Sequence, residues 1–447
     1  MADFLIIGAD AAGLSAAVQI KRKLPDKDIK IINKGRFISY GACGIPYVVS
    51  GDISGSQKLV HFTPESFEQA RGLPVHILQE AVDVFPEEHT VEIRDLNTGE
   101  TSREAYGKLL IGTGARPVRL PFIDYALEGV FNLHTIEDLD RVLKFLEDEK
   151  PREAAIIGAG NVGLELAEAL SRREIGVRLF DIAPEPAFLW PPLIRKAVAG
   201  KIKEKGIGFF GGEAIRSLER RDGRLALSTE TGAVYEADVV FSVVGTVPAT
   251  EFCRDKLNAK KNGALFADRR GQTCDPDIYA AGDCASVYHR LLDRNVYFPL
   301  GSTANKMGRI AGINMAGGDI LFPGIVGTQI LKFFELSLAK TGLSREEADK
   351  EGFRTRQFSA TRPDKAAYFP GAAPAKVEVV CEEDSGVLLG AAAVSESNAA
   401  QFIDAAAVAV FAGMGVEDLG WFDSAYAPPF APVWNALISA SLKSSKA

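Results

Sequence analysis

The sequence predicts an α/β protein in which a strand, a glycine-rich turn, a helix and a second strand follow one another twice. The first unit runs from an apolar strand at 4–7 through Gly8 and a helix to a strand at 29–32. The second begins with a strand at 154–157 that leads into the turn GAGNVG. Such units are typical of Rossmann-like dinucleotide-binding domains. Beyond about residue 323, alternating strands precede an alanine-rich helix and indicate a C-terminal α+β domain.

The chain has 447 residues, which is more than one hydrophobic core usually organises, so we expect several domains. A strand at 109–111 followed by Thr113-Gly114-Ala115-Arg116-Pro117 marks the end of the first unit's domain, and a strand at 239–244 ends at Gly245. We therefore expect one domain built from residues 1–117 and 245–323, a second from 118–244, and a third from 324–447.

Composition and charge exclude several classes of function. The formal net charge is −8 and the sequence pI is near 5.4, so no net basic field would attract nucleic acid. No apolar run reaches the roughly 18 residues that a membrane-spanning helix needs, and no targeting pattern is visible at the N-terminus. The five cysteines are scattered, which fits neither a disulfide framework nor a zinc cluster. We expect a cytoplasmic protein that binds neither nucleic acid nor membranes and holds no metal.

The second glycine-rich turn matches the dinucleotide pattern in full. Gly158, Gly160 and Gly163 occupy its three glycine positions, where the backbone approaches a pyrophosphate at a helix N-terminus. Asp181 follows at the distance at which an acid holds a ribose 2′-hydroxyl. Because this acid would repel a 2′-phosphate, it favours NADH. Nearby arginines leave NADPH as an alternative: Arg172, Arg173 and Arg178.

The first glycine-rich turn departs from that pattern at two positions. Gly8 and Gly13 occupy the outer glycine positions, but Asp10 replaces the middle glycine and Asn33 stands where the ribose acid is expected. Asparagine can still bond to ribose hydroxyls, so a dinucleotide remains consistent with this turn, at a cost in affinity. By itself the turn also fits an ordinary tight connection.

The order of the motifs resembles that of the pyridine nucleotide-disulfide oxidoreductases, which have an FAD domain, an inserted NAD(P) domain and a C-terminal interface domain. The resemblance covers essentially the whole chain, including Tyr279-Ala280-Ala281-Gly282-Asp283 and Ala304-Asn305-Lys306. It implies that 1–117 and 245–323 bind FAD, that 118–244 bind NAD(P)H and that 324–447 form the dimerisation domain. The cofactor-binding residues that we expect are Gly8, Ala12, Gly13, Asn33, Lys34, Thr113, Gly114, Ala115, Arg116, Gly158, Gly160, Asn161, Val162, Gly163, Glu165, Asp181, Gly245, Gly282, Asp283 and Ala304.

Within that family, the segment SYGACGIPY at 39–47 is similar to the branch of single-cysteine enzymes. This branch contains coenzyme A disulfide reductase, related persulfide and polysulfide reductases, and NADH oxidases. The segments at 368–371 and 426–430 resemble its interface domain. Because these enzymes are homodimers whose tyrosines reach the partner's cysteine, the resemblance implies catalytic roles for Tyr426 and Tyr368 beside Cys43.

Cys43 is the expected nucleophile. No other cysteine lies within two hundred positions of it, so its redox partner must be a small diffusible thiol, which points to a mixed disulfide with coenzyme A. The residues that follow it can begin a helix, whose positive end should lower the pKa of the Cys43 thiol. No histidine occurs after His289, so tyrosine hydroxyls are the available proton donors to the leaving thiolate.

Coenzyme A itself needs polar and cationic contacts for its pantetheine arm and phosphates. Ala42 departs from the asparagine common in this branch, which weakens one expected hydrogen bond and leaves the thiol specificity open. By resemblance, the residues that contact coenzyme A are Ser15, Gln19, Arg22, Ser39, Arg71 and Asn305.

Two other functions stay open at this point. In an NADH oxidase, Cys43 would cycle through a sulfenic acid. A peroxidase fits less well, because the first turn carries Asp10 and lacks the histidine that the family's peroxidases have there. The second alternative is a flavin-bearing redox sensor or interaction protein. The residues also leave open whether the acceptor is coenzyme A disulfide, a persulfide or polysulfide, or oxygen, and whether coenzyme A stays tightly bound.

Overall fold

The N-terminal part of the chain forms a mixed sheet with helices packed against it. This computed structural model describes residues 2–444. Its first elements are β1 (Ala2–Ile7), α1 (Ala11–Lys23), β2 (Ile29–Asn33), β3 (Ile38–Tyr40), α2 (Ile45–Val49), β4 (Val60–Phe62), α3 (Pro64–Arg71), β5 (Val75–Ile77), β6 (Gln79–Phe85), β7 (Thr90–Asp95), β8 (Thr101–Ile111) and β9 (Ala115–Pro117).

The next part of the chain builds a second sheet, which is parallel throughout. Its strand order is β10-β17-β11-β12-β13, and a three-stranded antiparallel sheet, β14-β15-β16, packs against it. The elements are β10 (Val130–Phe131), α4 (Ile136–Glu149), β11 (Glu153–Ile157), α5 (Asn161–Ser171), β12 (Gly176–Asp181), α6 (Pro192–Glu204), β13 (Gly208–Gly211), β14 (Ile215–Arg221), β15 (Arg224–Thr229), β16 (Val234–Ala237), β17 (Val239–Ser242) and β18 (Thr246–Pro248).

The chain then returns to the first sheet. Strand β18 pairs with β9, and the next strand, β19, adds to β8 in parallel. The first sheet therefore has the order β5-β2-β1-β8-β7-β6 with β19 also beside β8. The predicted boundaries at 117, 245 and 323 stay predictions. The elements of this return are β19 (Ile278–Ala280), β20 (Val287–His289), β21 (Arg294–Val296) and α7 (Gly301–Met315).

The C-terminal part is an antiparallel sheet with helices against it, and its strand order is β22-β23-β26-β25-β24. Together with the two sheets before it, this part confirms the predicted fold class. Over residues 2–444, the helices are all too short or too polar to cross a membrane. The elements are β22 (Gln329–Phe333), β23 (Leu336–Gly342), α8 (Arg345–Lys350), β24 (Thr355–Pro363), β25 (Pro374–Glu382), β26 (Leu388–Ser395), α9 (Ala400–Ala412), α10 (Val416–Trp421) and α11 (Ala436–Ser441).

Helices α1 and α7 pack closely because α7 carries two glycines on the face that meets α1. A Cβ atom at Gly308 would overlap the backbone of Ala12, and one at Gly312 would overlap the backbone of Ala16. The absence of side chains lets the two backbones touch. This contact joins α7, which lies late in the chain, to the first glycine-rich turn.

We predict that Gly308→Ala will lower the free energy of unfolding by about 1–3 kcal/mol, because the added methyl group has to push the two helices apart. The midpoint of urea unfolding measures this. Gly200→Ala in α6 is the matched control, since its Cβ would meet open space, and it should stabilise by up to about 1 kcal/mol. Equal midpoints for the two variants would contradict the close contact.

Candidate active site around Cys43

Both predicted glycine-rich turns connect a parallel strand to a helix, with almost the same backbone. Gly8 follows β1 with a φ of 104°, and Gly158 follows β11 with a φ of 109°. A Cβ on Gly13 would overlap the carbonyl of Gly8, and one on Gly163 would overlap the carbonyl of Gly158. Glycine is therefore required at these positions for the helix to start against the strand.

In the second unit, the side chain at the end of β12 holds the turn in place. The backbone N–H groups of Ala159 and Ala183 donate to the two carboxylate oxygens of Asp181, at 2.6 and 2.8 Å. A Cβ on Gly160 would meet no atom within 4 Å, so the backbone there faces open space. Such a cradle fits a pyrophosphate. Of the two predicted neighbours, Asn161 accepts a hydrogen bond from the indole of Trp190 at 2.8 Å and Val162 is exposed.

In the first unit, Asn33 takes the place of Asp181 but bonds differently. Its Oδ1 accepts from the backbone N–H of Ala9 at 3.0 Å, as the acid does in the second unit. Its amide group donates to the carbonyls of Gly35 and Phe37 at 3.0 and 3.1 Å. Since both amide N–H groups are used within this loop, Asn33 can offer a ribose hydroxyl only its oxygen.

Three segments that lie far apart in the sequence meet at the first turn. A Cβ on Gly282 would lie 3.1 Å from that of Ala12 and 3.4 Å from that of Ala304. Asp283, which follows Gly282, is thereby placed beside the turn, and burial raises its pKa to about 6. These segments surround a site that fits FAD. Gly114 lies on the connection after β8, and Gly245 lies on the connection after β17. A Cβ atom on either glycine would meet no atom within 4 Å.

Several predicted cofactor residues make contacts within the protein. Lys34 pairs with Glu80 at 2.8 Å. Arg116, next to Ala115 on β9, donates from its Nε to Glu251 at 2.8 Å, and Thr113 donates to the carbonyl of Ala249 at 2.8 Å. The side chains of Arg116 and Thr113 therefore stabilise the crossing between the two sheets, whereas the Lys34 pair lies within the first sheet. The contacts of all three with a nucleotide stay predictions.

Cys43 lies in a single 3-10 turn, Ala42–Gly44, immediately before α2, and it is exposed. All five cysteines are free. Over residues 2–444, no group of three or more His, Cys, Asp or Glu side chains is arranged to hold a metal ion. The accessible sulfur atom is therefore open to reaction with a small molecule.

The expected lowering of the pKa of Cys43 is wrong for this structure. The pKa of the thiol is raised, first by partial desolvation and then by the negative charges of Glu165 and Asp283, with a smaller effect of Asp10. The backbone hydrogen bond lowers it only in part. Helix α2 has only five residues, and desolvation together with the surrounding carboxylates leaves the pKa of the thiol raised.

Glu165 bonds to a tyrosine that the sequence analysis did not single out. The hydroxyl of Tyr47 donates to Glu165 Oε1 at 3.3 Å, and burial raises the pKa of Glu165 to about 7. Tyr47 follows Cys43 by four residues, which is about one helical turn. This spacing was the available signal. The contact brings α5, which starts at the second glycine-rich turn, beside the cysteine.

Further contacts hold α5 against the segment that follows Cys43. Arg172 Nη2 donates to Asp52 Oδ1 at 2.7 Å, and Arg173 Nε donates to the carbonyl of Val49. Arg178 on β12 bonds instead to the carbonyl of Glu236, at 2.8 Å, and pairs with Glu153. The three arginines that left NADPH open are thus all engaged in other contacts.

The structure brings the two predicted catalytic tyrosines together on the outside of the C-terminal part. The pKa of Tyr368 is raised, chiefly by its hydrogen bond with Tyr426. Their loops are joined by a hydrogen bond from the backbone N–H of Ala366 to the carbonyl of Pro428, at 3.1 Å. Tyr368 is 76% exposed and Tyr426 is 52% exposed, so both rings face outward.

The predicted coenzyme A residues come from four elements. On α1, the spacing of Ser15, Gln19 and Arg22 places them on one helix face. Ser39 lies on β3 with a φ of 47°, a backbone conformation that is rare for serine. The remaining two are exposed, with Arg71 in the last turn of α3 and Asn305 in α7.

Comparison with known proteins identifies the class of protein that has this fold and site. Residues 2–308 match the family model described as pyridine nucleotide-disulphide oxidoreductase, and residues 328–437 match the dimerisation domain of that family. The chain belongs to the pyridine nucleotide-disulphide oxidoreductase family, and its function is that of an oxidoreductase. The resemblance inferred from the sequence is confirmed, and the family implies FAD and NAD(P)H as cofactors.

Individual members of this family are similar to the chain over nearly its whole length. The chain is 36% identical to the CoA-dependent NAD(P)H sulfur oxidoreductase of Pyrococcus furiosus, over 97% of each chain. It is 30% identical to an NADH oxidase of Methanocaldococcus jannaschii, over 97% of this chain and 96% of that one. It is also similar to the solved structure of an NAD-dependent persulfide reductase from A. fulgidus, with a TM-score of 0.94, 30% identity, and 99% and 83% of the two chains covered.

We predict that Glu165→Gln will lower the pKa of the Cys43 thiol, because it removes a negative charge that favours the protonated form. The rate of Cys43 alkylation by iodoacetamide, followed against pH, measures this pKa. The midpoint of the rate profile should move to lower pH. Glu147→Gln on the exposed side of α4 is the control and should leave the profile in place. An unchanged profile for both variants would contradict the electrostatic influence of Glu165.

Proposed function

We propose that this chain is an FAD-dependent NAD(P)H oxidoreductase that reduces the sulfur–sulfur bond of coenzyme A disulfide, or of a related persulfide or polysulfide. One observation supports it above all. An accessible cysteine, Cys43, lies between two dinucleotide units and beside the helix that starts at the second glycine-rich turn. No resolving cysteine accompanies it, so the sulfur that reacts with it must come from a small molecule.

The residues at the two turns fit the two cofactors of the family. The turns after β1 and β11 offer backbone N–H groups at the starts of α1 and α5, where a pyrophosphate binds. Asn33 and Asp181 stand at the ribose positions, and Asp283 stands beside the first turn. Bound FAD supplies the electron pair that it takes from NAD(P)H.

NADH is the nicotinamide nucleotide that Asp181 favours. Its carboxylate lies at the end of β12, where a 2′-phosphate would meet a negative charge. The nearby cations are held elsewhere, since Arg172 and Arg173 bind the segment after Cys43 and Arg178 binds Glu236 and Glu153. A 2′-phosphate would therefore meet no free arginine among these three.

Cys43 carries out the thiol–disulfide exchange in two steps. Its thiolate attacks one sulfur of the substrate, so that a new disulfide forms on Cys43, the substrate S–S bond breaks and one thiolate leaves. Two electrons and a proton then break the mixed disulfide, which releases the second thiol and restores the Cys43 thiolate. Because the pKa of the resting thiol is raised, a proton must leave Cys43 before attack. Glu165 is the proposed acceptor, since among the carboxylates its charge affects Cys43 most and its own pKa is raised to about 7.

Tyr368 and Tyr426 donate the proton that the leaving thiolate needs, from the partner subunit of a homodimer. Both hydroxyls face outward and are bonded to each other, so one can donate while the other stabilises it. The same surface exposes large apolar side chains at Trp421, Phe430 and Trp434. An exposed aromatic face of this kind is typical of a protein–protein interface.

Coenzyme A would lie along the polar stripe of α1, where Ser15, Gln19 and Arg22 share one helix face, with Arg71 and Asn305 offering further polar groups. An NADH oxidase remains the second candidate. The exposed thiol of Cys43 is open to oxygen or peroxide as well, and a relative that is 30% identical carries that name.

We predict that Cys43→Ser will reduce the rate of coenzyme A disulfide reduction by about 1000-fold or more, because it removes the nucleophile. Reduction of the bound flavin by NADH should change by no more than about twofold, since that step does not involve the thiol. Stopped-flow absorbance separates the two. Cys274→Ser, at the other exposed cysteine, is the control and should retain full activity.

Mass spectrometry of the purified protein, denatured without reductant, distinguishes the two candidates. A mass increment of one coenzyme A on the Cys43 peptide that disappears after NADH treatment is the expected result. A sulfenic acid at Cys43 without any coenzyme A adduct would instead favour the oxidase.

We also predict that Asp181→Asn will lower the ratio of kcat/KM for NADH to that for NADPH by about tenfold, since it removes the charge that repels a 2′-phosphate. Glu185→Gln removes a charge from the same loop and should leave the ratio unchanged. Steady-state kinetics with both nucleotides gives the answer. A higher ratio in Asp181→Asn would contradict the assigned role.

A further inference from the structure

The two glycine-rich turns differ most at their middle position. Gly160 has a φ of −80° and a ψ of −166°, and Asp10, its equivalent, has a φ of −122° and a ψ of −149°. Since both backbones are extended, the side chain of Asp10 leaves the turn in the direction that is open at Gly160. In a dinucleotide unit, that open space is where the pyrophosphate binds.

Asp10 is held there by backbone donors and lies beside a second acid. Its carboxylate makes no capping bond to the first turn of α1. Burial raises the pKa of Asp10 to about 6, although the nearby backbone N–H groups of Tyr40 and Ala11 act to lower it. The negative charge of Asp283 makes a smaller contribution to this rise.

The other charged groups around Asp10 do not neutralise it. The segment after β3 adds Cys43, whose pKa Asp10 itself raises. The cations of α1 lie in its last turn, at Lys21, Arg22 and Lys23. Helix α7 carries Lys306 and Arg309, which are exposed, while its buried face meets α1. In the loop after β2, Lys34 is paired with Glu80, and Arg36 is exposed.

We propose that Asp10 makes FAD binding proton-linked: the protein holds FAD with Asp10 protonated, and the Asp10 hydroxyl donates a hydrogen bond to a pyrophosphate oxygen. The other carboxyl oxygen keeps the hydrogen bond from Tyr40. A proton is taken up when FAD binds above neutral pH, and FAD is bound more weakly as the pH rises. This inference rests on the proposed FAD site. It concerns the middle position of the turn, where most dinucleotide-binding turns have glycine.

The sign of the effect follows from charge. The pyrophosphate is negative, so it raises the pKa of Asp10 above its value of about 6 in the protein alone. Below pH 6, Asp10 is protonated in both states and the affinity is full. Between pH 6 and the pKa of the FAD-bound state, each pH unit weakens binding by up to about tenfold. Asp283 is a second carboxyl group near the turn, and burial raises its pKa to about 6 as well. The experiment therefore needs a separate variant of Asp283 as a control.

The test measures FAD dissociation between pH 5.5 and 8.5. The FAD-bound protein is diluted at each pH, and free FAD is measured by its fluorescence after ultrafiltration. We expect Kd for the unaltered protein to rise by about tenfold or more from pH 6 to pH 8. Asp10→Asn keeps the shape of the side chain, removes the proton and should give the same Kd at both pH values. Asp10→Gly restores the usual residue at the turn and should bind FAD more tightly than the unaltered protein at pH 8.

Asp283→Asn should bind FAD more weakly but keep the dependence on pH, because Asp10 is still present. A pH-independent Kd in the unaltered protein would overturn the proposal, and so would a full pH dependence that survives in both Asp10 variants. In either case FAD would still be bound, so the proposed function would stand. A protein that holds no FAD at any pH would overturn the proposed function as well.

Discussion

The buried carboxylate of Glu168 is the interaction on which the arrangement of the site depends. It is 5% exposed and bonds to Lys332 and to the backbone N–H of Phe334, both on the C-terminal part of the chain. A buried charge without partners is costly, so these contacts favour the packing of the C-terminal sheet against α5. On the next turns of the same helix, Glu165 reaches Tyr47 and Arg172 reaches Asp52. One helix therefore positions the second glycine-rich turn, the segment after Cys43 and the C-terminal sheet relative to one another.

The charges around Cys43 make the thiol less acidic, so its reactivity comes from position and from its partners. Glu165, Asp283 and Asp10 all disfavour the thiolate, whereas a helix of five residues favours it only weakly. Protonation protects an exposed thiol from random oxidation, because the thiolate is the form that reacts. The tyrosines at 368 and 426 face away from their own chain, as the proposed proton donation to a partner subunit requires.

The two dinucleotide units share a backbone but differ in their polar side chains. Both require glycine where the helix meets the strand, because a Cβ there would overlap a carbonyl. At the ribose position, Asp181 presents a charged acceptor, whereas Asn33 uses its amide to hold its own loop. The same fold thus supplies two units with different polar side chains, and the proposed dependence on the protonation of Asp10 concerns the first unit only.

The sequence by itself determined the features that depend on short spacings. The fold class and the family were predicted from the turn GAGNVG, the acid at Asp181, the solitary Cys43 and the order of the motifs. These features are visible in the sequence because glycine-rich turns and strand ends accept only certain residue types. Tertiary structure alone decided which distant groups meet. Tyr47 and Glu165 are 118 positions apart, and Asp52 and Arg172 are 120 apart. Tyr368 meets Tyr426 although the strands β25 and β26 and the helices α9 and α10 lie between them in the sequence. It also decided the pKa of Cys43. The local helix predicted a lowering, but burial and then the carboxylates of Glu165 and Asp283 produce a rise, because both depend on what surrounds the thiol in space and not on its neighbours in sequence.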